Sequence, residues 1–157
     1  MGAEARLIEM GLVLPGPFPP HDPLDAVVVH RGIARTSGQL ARDADGVIAA
    51  PGRLGDDVTV DAGAAAARLC ALNALSVLRA ELGSLDHIAR VLSVTGYVAS
   101  APGFAAQPAV IDGASLVLVE VFGDAGRHTR SAIGVAALPR GASVEIEVTV
   151  ALVADGT

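Results

Sequence analysis

Apolar and polar positions alternate most cleanly near the C-terminal end of the chain. From Ser143 to Leu152, the residues Val144, Ile146, Val148, Val150 and Leu152 take every second place, and Glu145, Glu147 and Thr149 fall between them. A period of two predicts a strand with one apolar and one polar face. The two carboxylates then share the polar face about 7 Å apart, a pattern that by itself favours a solvated strand face. Ser131–Leu138 reads as a further strand, and Pro139–Ala142 as a short turn. The expected arrangement is an antiparallel hairpin, which would carry Arg130 away from Glu145 within one chain.

Further upstream the period changes. Ala64, Ala67, Ala71, Leu75, Leu78 and Leu82 recur at spacings of three and four, which predicts one apolar stripe on a helix. Thr59 or Asp61 can cap its start, and Gly83 stops it. Ile88–Ala99 is apolar on both alternating sets, as a central strand would be. Ser100-Ala101-Pro102-Gly103 breaks it, and a second helix is expected from about Phe104 to Phe122, in two pieces around Gly113. Before the first helix, Ala26–His30 and Ile33–Ser37 flank Arg31-Gly32, a hairpin turn signal. Arg42–Asp57 is a polar loop, and residues 1–25 form a lead-in whose five prolines between 15 and 23 exclude regular structure there, with a short helix at Ala3–Met10. The order β-β-α-β-α-β-β predicts an α+β fold: one mixed sheet with both helices on one face, in a single domain spanning 1–157.

Composition changes this picture in two ways. At 52% hydrophobic and 18% charged, the chain carries more apolar residues than one small core requires, so a sheet face buried against another subunit is expected. No unbroken apolar run approaches the roughly 20 residues of a membrane span, and Met1–Leu14 lacks a basic stretch followed by an apolar core, so a cytoplasmic location and no membrane partner are expected. All eleven basic residues are Arg. Without lysine there is no Schiff-base chemistry and no phosphate-loop lysine. A net charge of −6 with three Phe, one Tyr and no Trp argues against nucleic acid as a partner.

Candidate chemistry is sparse. Arg130 is either a surface ion-pair partner or an anion receptor, since its planar fork suits bidentate binding of a carboxylate. His128, two residues earlier, would share its face. The remaining histidines, His21, His30 and His87, are dispersed without metal-ligand spacing, so no metal and no cofactor are expected. Cys70 sits in an Ala/Leu helix and reads as a core hydrophobe rather than a reactive thiol. Ser37, Ser131 and His128 do not assemble into a triad from sequence, and Gly113-Ala114-Ser115 lacks the context of a nucleophile elbow.

Taken in order, Ser37-Gly38-Gln39 after a hairpin strand, Arg130-Ser131, Leu138-Pro139 and Val144-Glu145-Ile146-Glu147 resemble the RidA/YjgF family, also labelled endoribonuclease L-PSP-like, over roughly residues 26–152. The resemblance implies a trimeric chorismate-mutase-like fold: a homotrimer with clefts between subunits. It implies that Arg130 grips the carboxylate of a 2-imino or 2-enamino acid, and that Glu145 activates the water that releases ammonia and leaves a 2-oxo acid. Ser37, Gly38, Ala132, Asp112 and Phe18 would complete the substrate site, and Glu147 would be structural. Three positions depart from the family pattern. Phe18 replaces a tyrosine, Ala132 a frequent cysteine, and Asp112 an asparagine. A non-catalytic trimer binding small carboxylates or a protein partner is the alternative, and ribonuclease activity fits the acidic, lysine-free composition worst.

Overall fold

The computed structural model describes residues 1–154. The first helix predicted from periodicity runs from Val60 to Leu82 and is here called α2. The Thr59 hydroxyl accepts from the Ala62 N–H at its start, and Gly83, at φ 81°, ends it by donating to the Arg79 carbonyl. The first strand pair also forms as expected. β1 (Val27–His30) and β2 (Ile33–Thr36) are joined by Arg31 and Gly32, both at positive φ, the geometry that matches the twist of the two strands. A two-residue strand β3 (Gln39–Leu40) follows Ser37-Gly38. β4 (Ile88–Ala99) keeps its predicted bounds.

The second major helix, α3 (Gln107–Phe122), is continuous. Gly113 does not divide it. A Cβ there would collide with the carbonyl group of Ala64, so the glycine lets α3 cross α2 with their backbones nearly touching. This is a packing requirement that resembles a helix break in sequence.

β5 (Thr129–Val135) and β6 (Val144–Leu152) complete the sheet, in the order β1-β2-β6-β4-β5, with β3 also pairing β6. β5 and β6 are therefore not a hairpin. β5 runs parallel to β4, and β6 runs antiparallel to β4 on its other side. The unit β4-α3-β5 is a parallel crossover, and the turn at Pro139–Gly141 carries the chain past β4 instead of folding β6 back on β5. A turn signal fixes where the chain bends. Which strand the next segment joins is decided by the open edge that β4 presents.

Helices α2 and α3 cover one face of this mixed sheet, on which Val94, Val98, Val144, Ile146, Val148 and Val150 are buried. Burial of each such side chain contributes about 1.5–3 kcal/mol. The predicted stripe on α2 is too narrow, because every residue from Cys70 to Leu78 is buried. A short N-terminal helix, α1 (Ala3–Glu9), packs Ala3 and Leu7 into the core, and Arg6 Nη1 donates to the Val121 carbonyl of α3. The proline-rich stretch then crosses α2 with Leu14 buried, and the Gly16 N–H donates to the Ser76 hydroxyl. At 23 residues α2 is long and apolar enough to cross a membrane by length and composition alone, but its middle is packed against the sheet, α3 and the lead-in, as a core helix is.

The opposite face of the sheet is uncovered, as expected, and it is mixed rather than uniformly apolar. It carries Arg35, Thr95, Tyr97, Glu145, Glu147 and Thr149 together with the exposed apolar side chains of Val28, Ile33 and Ile133. Much of the apolar surplus goes to α2, whose stretch from Cys70 to Leu78 is buried on every side.

Candidate active site

Glu145 belongs to the polar face of β6, directly beside Gly38. A Cβ on Gly38 would stand 2.7 Å from Glu145 Oε1, so only glycine lets the carboxylate lie against that backbone. Burial, followed by the charge of Glu147, raises the Glu145 carboxyl above its ordinary value. Among the described residues no side chain donates to it. Glu147 differs: Arg35 Nη2 pairs with it at 3.2 Å, and the Tyr97 hydroxyl donates to the same oxygen at 3.2 Å. One carboxylate is held in an ion-paired network, and the other is left available.

Glu145 faces a cleft of about 290 Å³. One wall is the lead-in from Phe18 to His21, and the opposite wall is Ser37 to Leu40 with Arg42. The proline-rich segment thus covers one side of the site, which the sequence left open. The Ser37 hydroxyl donates to the Asp25 carbonyl at 2.6 Å and fixes the start of the Ser37-Gly38 turn. Asn73, buried in α2, donates from its amide to the carbonyls of Leu40 and Arg42, which pins the same wall from behind. Arg42 lies 5.4 Å from the centre of the Phe18 ring, within cation–π range. Desolvation, and then the nearby Arg140, lower the proton affinity of its guanidinium. Sequence reasoning passed over Arg42 and the buried amide that holds its backbone. Their only signal was proximity to Ser37-Gly38-Gln39, because the contact between Asn73 and residues 40–42 exists only after folding.

The second group of predicted residues stands elsewhere. Arg130 is in register with Val94, which faces the helices, whereas Glu145 is in register with Tyr97 on the open face. With β4 between their strands, Arg130 and Glu145 are on opposite faces of the sheet. Arg130 Nη1 donates to Asp112 Oδ1 at 2.8 Å and to the Ser115 hydroxyl at 3.2 Å. Asp112 and Ser115 are three residues apart on α3 and so project from one side of it. His128 precedes β5, which starts at Thr129, yet its ring reaches this side, with Nε2 2.9 Å from Ser115 Oγ. Ala132 is half-buried against the core on the same side of β5, away from the cleft. The structure therefore gathers Phe18, Ser37, Gly38 and Glu145 in one place, and Asp112, Arg130 and Ala132 in another. Cys70 is fully buried, and burial raises its thiol far above the usual range, consistent with a core role. Among the described residues no three of His, Cys, Asp or Glu converge on a point where a metal could sit.

The fold is that of a recognised class of proteins. The chain belongs to the RidA/YjgF family: the profile described as "YjgF/chorismate mutase-like, putative endoribonuclease" matches residues 4–150. Among individual proteins, it is 41% identical to Protein TCP17 of Trypanosoma cruzi over 150 residues, covering 94% of this chain and 92% of that protein. The crystal structure of Atu1372 from Agrobacterium tumefaciens, a protein of unknown function, is 41% identical and superposes with a TM-score of 0.87, covering 96% of this chain and 93% of that one. A structure described as a "putative endoribonuclease" from Shewanella oneidensis is 31% identical with a TM-score of 0.92, covering 97% and 100%.

Proposed function

We propose that the protein is an enamine/imine deaminase that hydrolyses small 2-imino or 2-enamino acids to 2-oxo acids and ammonia, at sites completed by a second copy of the chain. The observation that carries this reading is the half-built cleft. A carboxyl group with raised proton affinity and no donor partner lines a small cavity, while the arginine suited to hold a substrate carboxylate stands on the other side of the sheet. Neither half suffices alone. Arg130 lies on β5, an edge strand that borders only β4 among the described residues, and its side chain is partly exposed beside α3. In a homotrimer of the family type, Arg130 of one copy would anchor the substrate carboxylate in the Glu145 cleft of the next.

The chemistry then follows from the groups in the cleft. Glu145 takes a proton from a water molecule as the water oxygen attacks the C=N carbon. Returned to nitrogen, that proton completes a carbinolamine; Glu145 then takes the hydroxyl proton and passes it to the amine, so that the C=O forms as the C–N bond breaks and ammonia leaves. The raised proton affinity suits a carboxyl that must alternate between base and acid, and no redox partner is required. The test is ammonia release from short-chain imines generated in solution, 2-aminoacrylate among them. Wild type should accelerate it, and Arg130→Ala and Glu145→Gln should each lower the rate by about 100-fold or more. A wild-type rate no faster than buffer across the panel would sink the reading.

One observation favours a second reading, a trimer that binds small carboxylates without turning them over. Asp112 already pairs with Arg130, and a ligand carboxylate must compete with it. This reading expects 2-oxo acids to raise the melting temperature in an Arg130-dependent way, with no ammonia released from any imine.

A further inference from the structure

Ser115, His128 and Arg130 surround an open depression of about 290 Å³ that Arg127 and Val119 also line. Hydrogen-bond chemistry fixes the state of the imidazole. His128 Nδ1 is 2.6 Å from the Gly126 carbonyl oxygen, which can only accept, so in the neutral ring the proton is on Nδ1. Nε2 is then an acceptor facing the Ser115 hydroxyl at 2.9 Å, and Ser115 donates to it. The second contact of Ser115 Oγ is the Arg130 guanidinium at 3.2 Å, a positive charge beside the oxygen that favours its alkoxide form. A hydroxyl donating to an oriented, unprotonated imidazole, beside a cation, is the arrangement of an activated nucleophile. It needs neither Glu145 nor a second copy of the chain.

We propose that Ser115 and His128 form a nucleophilic dyad that gives the protein a second chemistry, acyl transfer from activated esters of small anionic acids to the Ser115 hydroxyl. Oγ bonds to the ester carbonyl carbon while His128 Nε2 takes the hydroxyl proton. The carbon–oxygen bond to the leaving group breaks, and that proton passes to the departing alkoxide. Water then attacks the acyl-serine, gives one proton to Nε2, and releases the acid as Ser115 regains its hydrogen. Arg130 is placed to stabilise the oxyanion in both steps, and the Arg127 and Arg130 charges select an anionic acyl group.

The intact protein is treated with a small fluorophosphonate, and the adduct is located by peptide mass mapping. Ser131, an exposed serine without an imidazole partner, serves as the internal reference. The expected result is modification at Ser115 at least about 100-fold faster than at Ser131, lost in Ser115→Ala. His128→Gln, which keeps a hydrogen-bonding side chain but no base, should slow the labelling about 100-fold with an unchanged melting curve. With p-nitrophenyl esters, the hemisuccinate should acylate Ser115 faster than the acetate. Equal labelling of Ser115 and Ser131, a His128→Gln variant that labels as fast as wild type, or no preference for the charged ester would each overturn the proposal.

Discussion

Glu145 makes the behaviour of one residue depend on pH in a direction that can be worked out. Its carboxyl binds a proton more tightly in the folded chain than an ordinary glutamate does. Between the ordinary value and the raised one, the native state holds a proton that the unfolded chain has released. Stability therefore falls as pH rises through that window. Glu145→Gln removes the penalty, so its melting temperature should exceed that of wild type at pH 7. The difference should vanish below about pH 4, where both states of the wild-type chain are protonated. Identical melting curves across pH 4–7 would mean that burial does not hold the proton. Asp112 bears on ligand binding instead. Its partly exposed pair with Arg130 occupies the guanidinium, and Asp112→Asn frees it without removing bulk. Such pairs contribute roughly 0.2–1 kcal/mol, so calorimetric affinity for a 2-oxo acid should rise by up to about fivefold in this variant.

At the scale of elements, the contact between α2 and α3 is the tightest constraint. Gly113→Ala would force a methyl group into the Ala64 backbone, and neither helix can yield without lifting from the sheet. A loss of about 1–3 kcal/mol is expected, despite the better helix propensity of alanine. Urea denaturation gives the sign directly. A variant more stable than wild type would show that the crossing is looser than its geometry. Helix ends, the Arg31-Gly32 turn and the alternation of β6 were legible because each depends on neighbours a few residues away. The pairing of β5 was not, because Pro139–Gly141 fits a hairpin as well as a crossover past β4. Gly113 misled for a related reason, since its cause is 49 positions upstream at Ala64.

For the molecule as a whole, the question is assembly. The uncovered sheet face mixes polar groups with the exposed side chains of Val28, Ile33 and Ile133, and the two separated groups of candidate residues add a second argument for an oligomer. Sedimentation equilibrium should give about three times the chain mass of 15.7 kDa. A monomer that still released ammonia from imines would break the link between assembly and activity. By itself the sequence determined the elements, the α+β class and the family, because periodicity, caps and short motifs are local and survive without knowledge of partners. It also marked Arg130, Glu145, Ser37 and Gly38, whose types suit the chemistry wherever they stand. Only the tertiary structure decided that Arg130 and Glu145 lie on opposite faces, since strand order and register are set by long-range pairing. It also decided that the proline-rich segment walls the Glu145 cleft, and that Ser115, 13 residues before His128, reaches its imidazole. That last contact requires the end of α3 to turn back beside β5, and no spacing rule along the chain encodes it.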